Sequence, residues 1–305
     1  MQLKRETMHK LNTNPISVVA NIDNVAKGLH EPLKSFFSAE KDNLRSSFLH
    51  YDSLAKISLM SLVTLKALWP DKSEDADKKS KRGLAYNLYK SDRPFVNAHW
   101  EALKKANGNH VLMCPICGLE ECSEMDHYIP RSSFPEYSSH VSNLIPLCHK
   151  CNHDKSESWL DDSGNRIFFN AFYDQLPAQI IECSITIDYG YPKVAVSIHK
   201  ELDKSIPCNA VIVHTIGKLK LIEKFQMKAD AVMRSELQRL KLDYSTQKQF
   251  YQCDRNRFWD SRVTSYKAYA DCPKDFDFIT IEIYKAMYMS TEMREWVVCS
   301  DDFIE

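Results

Sequence analysis

The stretch that decides the fold carries two short cysteine pairs, CPIC at residues 114–117 and CHKC at residues 148–151. Each C-x-x-C pair can present two thiolates from one tight knuckle, so the two pairs together match the four ligands of one tetrahedral Zn²⁺ site. Such a zinc ion is structural, because four thiolates leave no open position for a water molecule. The alternative is that the four cysteines are buried without a metal. The predicted ligands are Cys114, Cys117, Cys148 and Cys151.

The residues between and after the two pairs suit phosphodiester chemistry. They read DHYIPR at 126–131, SNLIPLC at 142–148 and NHDK at 152–155. Hydrolysis of a phosphodiester needs a metal ion on the phosphate and a base that takes a proton from the attacking water. Asp126 and His127 are neighbours on a predicted strand, so their side chains start on opposite faces, and twist at the strand end can let both reach one site. Asn152, at the start of the following helix, could close the metal site from the other side.

The order C-x-x-C, D-H, N-L-x-x-L-C-x-x-C-N-x-x-K resembles the HNH (ββα-metal) nuclease family over about forty residues. The match is to the form that has a four-cysteine zinc site and Asn as its third motif residue. The resemblance implies a strand through Met125–Ile129, a second strand through Asn143–Leu147 and a helix from Asn152 to about Leu160. The predicted fold class is therefore α+β, with a zinc-stapled ββα core flanked by N-terminal and C-terminal helical regions.

The same resemblance implies a role for each matching residue. His127 would activate the attacking water as general base, and Asn143 would hold the loop and orient His127. Asp126 and Asn152 would bind the catalytic Mg²⁺ or Mn²⁺, which prefers hard oxygen ligands. His153 is the alternative to Asn152, because many family members have His at the third motif position. A helical step of about 100° keeps both side chains from facing one metal ion.

Basic residues are the candidates for contacts with the nucleic-acid backbone. Arg131 follows the Asp-His pair and could stabilise phosphate charge, although a structural salt bridge explains it equally well. Lys155 either touches phosphate or is a solvated helix residue. A further candidate is a lysine row at i, i+4 and i+8 of one helix, for which an ordinary solvated face is the stronger interpretation. The lysine row consists of Lys220, Lys224 and Lys228.

Composition excludes several other functions. The chain has 305 residues, a formal net charge of -1 and only 7 glycines, which form neither G-x-G-x-x-G nor G-x-x-x-x-G-K-[ST]. Dinucleotide binding and NTP hydrolysis at those two kinds of site are therefore excluded. No apolar segment follows the N-terminus as it does in a signal peptide, and no apolar run reaches the length of a membrane span. We therefore expect a cytoplasmic protein that does not contact a membrane.

Charge is unevenly distributed along the chain. Residues 1–110 carry 18 basic and 12 acidic residues, a net +6, whereas residues 111–163 carry 3 and 9, a net -6. The acidic segment would need a metal ion to approach a polyanion. The sequence predicts three regions: an N-terminal helical region at 1–110, the nuclease core at 111–163, and a C-terminal α/β region at 164–305 with a candidate surface for docking a partner.

Outside the core, the hydrophobic pattern predicts helices and one hairpin. One or two helices are expected within Pro32–Trp69, followed by an exposed linker at Asp71–Arg82. The further expected elements are a helix at Asp92–Ala106, strands at Ile180–Ile187 and Lys193–His199, a long helix at about Val211–Leu242 and a last helix at about Phe276–Val298.

We interpret the whole sequence as a metal-dependent endonuclease that cleaves DNA. The phrase RIFFNAF at 166–172 and the helical tail resemble the HNH subunits that accompany ABC-type ATPases in Septu and retron anti-phage systems. That resemblance implies an effector nuclease whose ATPase partner supplies the NTP site that the glycine-poor chain lacks. Two alternatives stay open: an RNase of the same fold, for example one acting on tRNA, and a catalytically degenerate zinc-binding scaffold.

Overall fold

The computed structural model describes residues 8, 10–12, 16–70, 79–108, 111–271 and 277–304. Within these ranges the chain forms two compact units that alternate along the sequence. The first unit comprises the residues up to 176 together with 205–219, and the second comprises 177–204 and the residues from 220 onward. The predicted division into functional regions at 1–110, 111–163 and 164–305 stays a prediction.

The first unit combines helices with a two-stranded sheet. Its α-helices are α1 (Val18–Ala26), α2 (Leu33–Ile57), α3 (Lys81–Tyr86), α4 (Pro94–Ala106), α5 (His149–Lys155) and α6 (Pro207–Lys218). Its strands are β1 (Glu124–His127) and β2 (Leu144–Leu147). Short 3-10 helices occupy Leu59–Thr64, Pro135–Tyr137 and Val141–Asn143. The predicted α+β fold class, with a ββα segment and helical regions before and after it, is confirmed.

Strands β1 and β2 pair antiparallel, with Glu124 opposite Leu147 and His127 opposite Leu144. Strand β1 ends two residues earlier than the sequence predicts. The reason is that the backbone N–H of Ile129 donates to the Oδ1 atom of the Asn143 side chain, at 2.8 Å, where a longer strand would use a backbone carbonyl. A side chain therefore closes the hairpin at the end where the two strands separate.

Helix α5 begins earlier than predicted and is shorter, because both of its ends are fixed locally. At the start, the Sγ atom of Cys148 accepts the backbone N–H of Cys151 and so caps the first turn. At the other end, Ser156 has a φ of 52°, which lies outside the helical region. The helix therefore grows directly out of the second cysteine pair and carries Asn152 in its first turns.

Helix α4 buries the predicted face, which includes Phe95, His99 and Leu103. The Nε2 atom of His99 lies 2.8 Å from the carbonyl oxygen of Leu144, so the helix is hydrogen-bonded to β2. A carbonyl oxygen only accepts hydrogen bonds, and Nε2 must therefore carry the proton. Burial lowers the pKa of His99 to about 4, which keeps the ring neutral at pH 7.

The segment Asp71–Arg82, predicted as an exposed linker, is buried at its last residue. Residues 71–78 lie outside the described part of the chain. Arg82 is buried within α3, which contradicts the prediction. Its guanidinium donates to the carbonyl oxygen of Trp69 at 2.6 Å and to that of Ser132. These acceptors replace water around the charge, so the arginine can be buried and ties α3 to the loop after β1.

The second unit is a hairpin packed against helices. Its strands β3 (Ile181–Asp188) and β4 (Tyr191–Ile198) lie close to the predicted positions. Its helices are α7 (Leu221–Gln247), α8 (Arg255–Asp271), α9 (Phe278–Met289) and α10 (Thr291–Cys299). Helices α7 and α9 pack on the hairpin. None of the helices described in either unit combines the length and the apolar character needed to cross a bilayer.

Two predicted helices are each divided in the structure. The helix expected at Val211–Leu242 consists of α6 and α7, because Lys220 between them has a φ of 50° and interrupts the helical backbone. The helix expected at Phe276–Val298 consists of α9 and α10, because the hydroxyl of Ser290 accepts the N–H of Met293 and starts a new helix. The sequence pattern did not predict α8.

We expect acid to destabilise the protein through His99. A histidine whose folded pKa of about 4 lies below its ordinary 6.5 binds protons more readily when unfolded, so the free energy of unfolding falls as the pH drops from 6.5 toward 4. Between pH 6.5 and 5.0 the loss from this group should be about 1.5 kcal/mol. Urea unfolding at both pH values measures it in the wild type and in His99→Gln, whose amide can still donate but does not titrate. An equal loss in the variant would exclude His99 as the source.

Candidate active site

The four predicted zinc ligands converge on one point. The Sγ atoms all lie within 4.8 Å of one another, and all four residues are buried; they are Cys114, Cys117, Cys148 and Cys151. The Sγ atoms of Cys117 and Cys148 are 3.9 Å apart. A tetrahedron built from Zn–S bonds of about 2.3 Å has edges of about 3.8 Å. The cluster is therefore consistent with a structural zinc site.

Local hydrogen bonds shape the cysteine cluster. The N–H of Gly118 donates to the carbonyl oxygen of Cys114 at 2.8 Å, and its φ of 64° is one that glycine adopts without strain. A hydrogen bond with the Cys114 thiol is the main cause that lowers the pKa of Cys148, whereas burial raises the pKa of Cys114. Part of the cluster therefore favours the thiolate, the form that binds zinc.

His127, at the end of β1, is held in one tautomer. Its Nε2 atom lies 2.9 Å from the carbonyl oxygen of Ser138, an atom that only accepts, so Nε2 carries the proton and Nδ1 keeps its lone pair. The ring of Tyr89 packs edge-on against the imidazole, with the ring centroids 4.5 Å apart. Burial lowers the pKa of His127 to about 3. The imidazole is therefore neutral at pH 7, the state that a general base requires.

Asp126 is the buried carboxylate of β1. Its Oδ2 atom lies 2.9 Å from the Nζ atom of Lys155, and the same ammonium donates to the backbone oxygen of His127 at 3.0 Å. Burial raises the pKa of Asp126, and the Lys155 charge opposes that rise. Lys155 itself is buried, so it lies inside the domain rather than on a surface that phosphate could reach. This placement argues against both sequence-based interpretations of Lys155.

Asn152 lines the same cleft as Asp126 and His127. Its Nδ2 atom donates to a carboxylate oxygen of Glu124. No donor among the described residues occupies its Oδ1 atom, so this oxygen is available to a cation. His153, the next residue, is exposed, and its ring stacks on that of His149 at 6.2 Å. The structure brings Asp126, His127 and Asn152 together and leaves His153 outside the lining of the cleft.

Asn143 is fully buried and fixes the loop between the two strands. Its Oδ1 atom accepts from the N–H of Ile129 at 2.8 Å and from the hydroxyl of Tyr51 at 3.3 Å. Its Nδ2 atom donates to the carbonyl oxygens of Ile129 at 3.0 Å and Tyr137 at 3.3 Å. Tyr137 directly precedes the residue whose carbonyl oxygen binds His127. Asn143 therefore acts on His127 through the loop and not by direct contact.

Comparison with known proteins agrees with this geometry. Residues 114–158 match the family model described as HNH endonuclease. Those residues form an HNH endonuclease domain. Protein ea31 of Escherichia phage lambda is 30% identical to the chain over 67 residues, which are 22% of this chain and 21% of ea31. The similarity thus spans about a fifth of that relative's length. No solved structure matches the chain.

Glu124 is a residue of the HNH site that the sequence analysis missed. It lies two residues before Asp126 on β1, and side chains at that spacing share one face of a strand. Its carboxylate accepts from Asn152 and lies 2.6 Å from the Nδ1 atom of His149. The hydrogen bond from Asn152 is the main cause that lowers the pKa of Glu124. The alternation of side chains along β1 is the signal that could have identified it.

Arg131 places a positive charge at the cleft of the HNH domain. Its guanidinium carbon lies 4.1 Å from the ring centroid of Tyr86 and 5.3 Å from that of Tyr89. In the part of the chain that the structure describes, no carboxylate lies within ion-pair distance of it. The structure therefore gives no support to the salt-bridge alternative. A contact with phosphate stays a prediction.

The lysine row belongs to the second unit, whereas the HNH domain belongs to the first. Lys220 precedes α7 and is not helical, so the spacing that defined the row holds only for Lys224 and Lys228. Lys228 is paired with Asp277 at 3.2 Å. Nucleic-acid binding by the row stays a prediction.

We expect the double variant Cys114→Ser/Cys148→Ser to lose bound zinc and to unfold at a lower temperature, because two of the four ligands are removed. Zinc per chain, measured by mass spectrometry of the metal, should fall from about one to near zero. The matched control is Cys122→Ser, which changes a half-buried cysteine outside the cluster and should keep its zinc. Full zinc content in the double variant would contradict the assignment.

Proposed function

We propose that the HNH domain hydrolyses phosphodiester bonds, with DNA as its substrate. The observation that carries the proposal is the combination in one open cleft of a neutral His127, held in a single tautomer, with the oxygen ligands Asp126 and Asn152. A catalytically degenerate scaffold would have no reason to keep all three. The family relationship supports a nucleic acid as the substrate class.

The oxygen donors fit a hard divalent cation. The Asp126 carboxylate and the Oδ1 atom of Asn152 would hold Mg²⁺ or Mn²⁺, and Glu124 fixes the Asn152 amide by accepting its Nδ2–H. A metal ion bound there would polarise the phosphate and stabilise the oxygen that leaves. Burial raises the pKa of Asp126, and the Lys155 ammonium opposes that rise, which favours the ionised carboxylate that this role needs.

His127 provides the base. Its unprotonated Nδ1 atom takes a proton from the attacking water, and the positive charge that develops on the ring is stabilised by the Ser138 carbonyl oxygen at Nε2. Arg131, which has no carboxylate partner among the described residues, supports the negative charge of the phosphate. A divalent cation held by Asp126 and Asn152 would, together with Arg131, offset the acidic character of residues 111–163 and let a polyanion approach.

We also propose that the chain is the effector of an anti-phage complex in the cytoplasm, with an ABC-type ATPase as partner. The proposal is supported by the resemblance at residues 166–172 and by the absence of glycine-rich NTP motifs from the sequence. Counting phage plaques on cells that carry the chain with and without such an ATPase tests it. Equal plaque numbers in both would contradict it.

We expect His127→Ala to cleave plasmid DNA in Mg²⁺ at least about 100-fold more slowly than the wild type, because general bases contribute factors of roughly 10²–10⁴. The matched control is His50→Ala on α2, an exposed histidine that should leave the rate unchanged. Because the pKa of His127 is about 3, its protonation should not slow cleavage between pH 8 and pH 5.

If His127→Ala cleaved DNA as fast as the wild type, the assignment of His127 as the general base would be wrong. Single-stranded RNA tested in parallel decides the alternative substrate, since cleavage of RNA together with intact DNA would favour the RNase.

We expect Asn152→Ala to bind Mn²⁺ at least about tenfold more weakly than the wild type, as measured by titration calorimetry of the zinc-loaded protein. His153→Ala, one residue further on the exposed side of α5, should bind Mn²⁺ as the wild type does. If His153→Ala lost affinity for Mn²⁺ and Asn152→Ala did not, the metal ligand would be His153. This measurement does not depend on activity, so it reports on the ligand alone.

A further inference from the structure

One wall of the cleft beside His127 comes from outside the HNH domain. The HNH match begins at residue 114, whereas Tyr86, Tyr89 and Trp100 belong to α3, to the turn after it and to α4. All three aromatic side chains are half-buried and line the cleft. The volume of the cleft is about 580 Å³, within the range of roughly 300–1,000 Å³ in which proteins bind small molecules.

Trp100 lines both the cleft and a neighbouring hollow. It lies one helical turn after Val96, which also lines the cleft, so the same face of α4 presents both. The indole also lines a second, neighbouring hollow of about 370 Å³ that contains Lys104. Among the residues that the structure covers, no aromatic ring packs on Trp100 and no acceptor meets its Nε1–H. A half-buried ring that has no aromatic partner among the described residues and that lines two hollows is suited to stacking on another flat group.

Arg131 and the two tyrosines provide a second flat surface in the same cleft. The guanidinium lies over Tyr86, and Tyr89 contacts both the guanidinium and the catalytic imidazole. Proteins that bind single-stranded nucleic acids combine aromatic platforms for the bases with arginine for charge and stacking. Here such platforms lie directly against His127, where the scissile phosphate must lie.

We infer that the cleft binds an unpaired strand of DNA, with one base next to the cut stacked on Trp100. The inference rests on the proposed function, because it places the scissile phosphate at His127. In a duplex the faces of the bases are covered by their neighbours in the stack, so a base reaches an aromatic platform only in a single-stranded or locally opened segment. The cleft also contains three carboxylates, Glu124, Asp126 and Glu157, which repel the phosphates of a strand. Base stacking is an attraction that does not depend on charge, so it can offset this repulsion.

The inference is tested by measuring DNA binding to a variant that should not cleave its ligand. Fluorescence anisotropy with labelled single-stranded DNA and with a duplex of the same sequence is measured in Mg²⁺, in the His127→Ala background. Adding Trp100→Ala should weaken binding of the single strand by a factor of about 5 to 100 and change duplex binding less than twofold. Adding Trp100→Phe should restore most of the affinity, because phenylalanine keeps a stacking face. The control Phe250→Ala removes an aromatic ring that is 81% exposed in the second unit and should change neither affinity.

A second readout follows the ring itself. Single-stranded DNA should quench tryptophan fluorescence of the His127→Ala protein, and Trp100→Phe should remove most of that quenching. Equal losses for single strand and duplex, or no loss for either, would overturn the inference, and so would tighter binding of single-stranded RNA than of DNA. Failure of the proposed function would give a different result. The wild type would then cleave no nucleic acid, while Trp100→Ala would still weaken single-strand binding more than duplex binding.

Discussion

The convergence of four cysteine sulfurs is the constraint on which the HNH domain depends. One pair precedes β1 and the other pair follows β2, so joining them brings together the two ends of the hairpin. The second pair also caps α5 through Cys148. Strand β1 and helix α5 are thereby held side by side, and Asn152 reaches Glu124. Two strands of four residues each would not hold this arrangement by themselves, since an isolated hairpin is only marginally stable in water.

The loop between β1 and β2 connects the hairpin to the ring of His127, the proposed base. The buried amide of Asn143 binds both sides of the loop, at Ile129 and at Tyr137. The next carbonyl, that of Ser138, then selects the tautomer of His127. A buried amide that lost these partners would leave several polar groups unsatisfied at about 1–3 kcal/mol each. The lone pair on the Nδ1 atom of His127 is therefore fixed by a hydrogen-bond network on the opposite side of the ring.

The sequence predicted the parts of the site whose geometry is set by short spacing. The C-x-x-C pairs, Asp126 with His127, and Asn152 directly after Cys151 are such parts, because local backbone geometry determines where they point. Contacts distant in sequence were not predictable. Arg82 is buried by carbonyl oxygens from two separate segments, and Trp100 reaches the cleft only through the packing of α4. The helix break at Lys220 was missed for a different reason: a left-handed residue there is not a glycine, so no sequence signal marks it.

The buried pair of Asp126 and Lys155 bears on how an acidic domain can keep the proposed metal ligand ionised. Burial alone would favour the protonated acid, and a protonated carboxyl is a poor ligand for a divalent cation. The Lys155 ammonium, 2.9 Å from the Oδ2 atom of Asp126, opposes this rise in the pKa, and the carboxylate in turn balances the buried positive charge of the lysine. The same ammonium binds the backbone oxygen of His127, so one lysine both favours the ionised form of the proposed metal ligand and anchors the strand end that carries His127. A lysine inside the domain thus supports both the proposed metal ligand and the strand end that carries the proposed base.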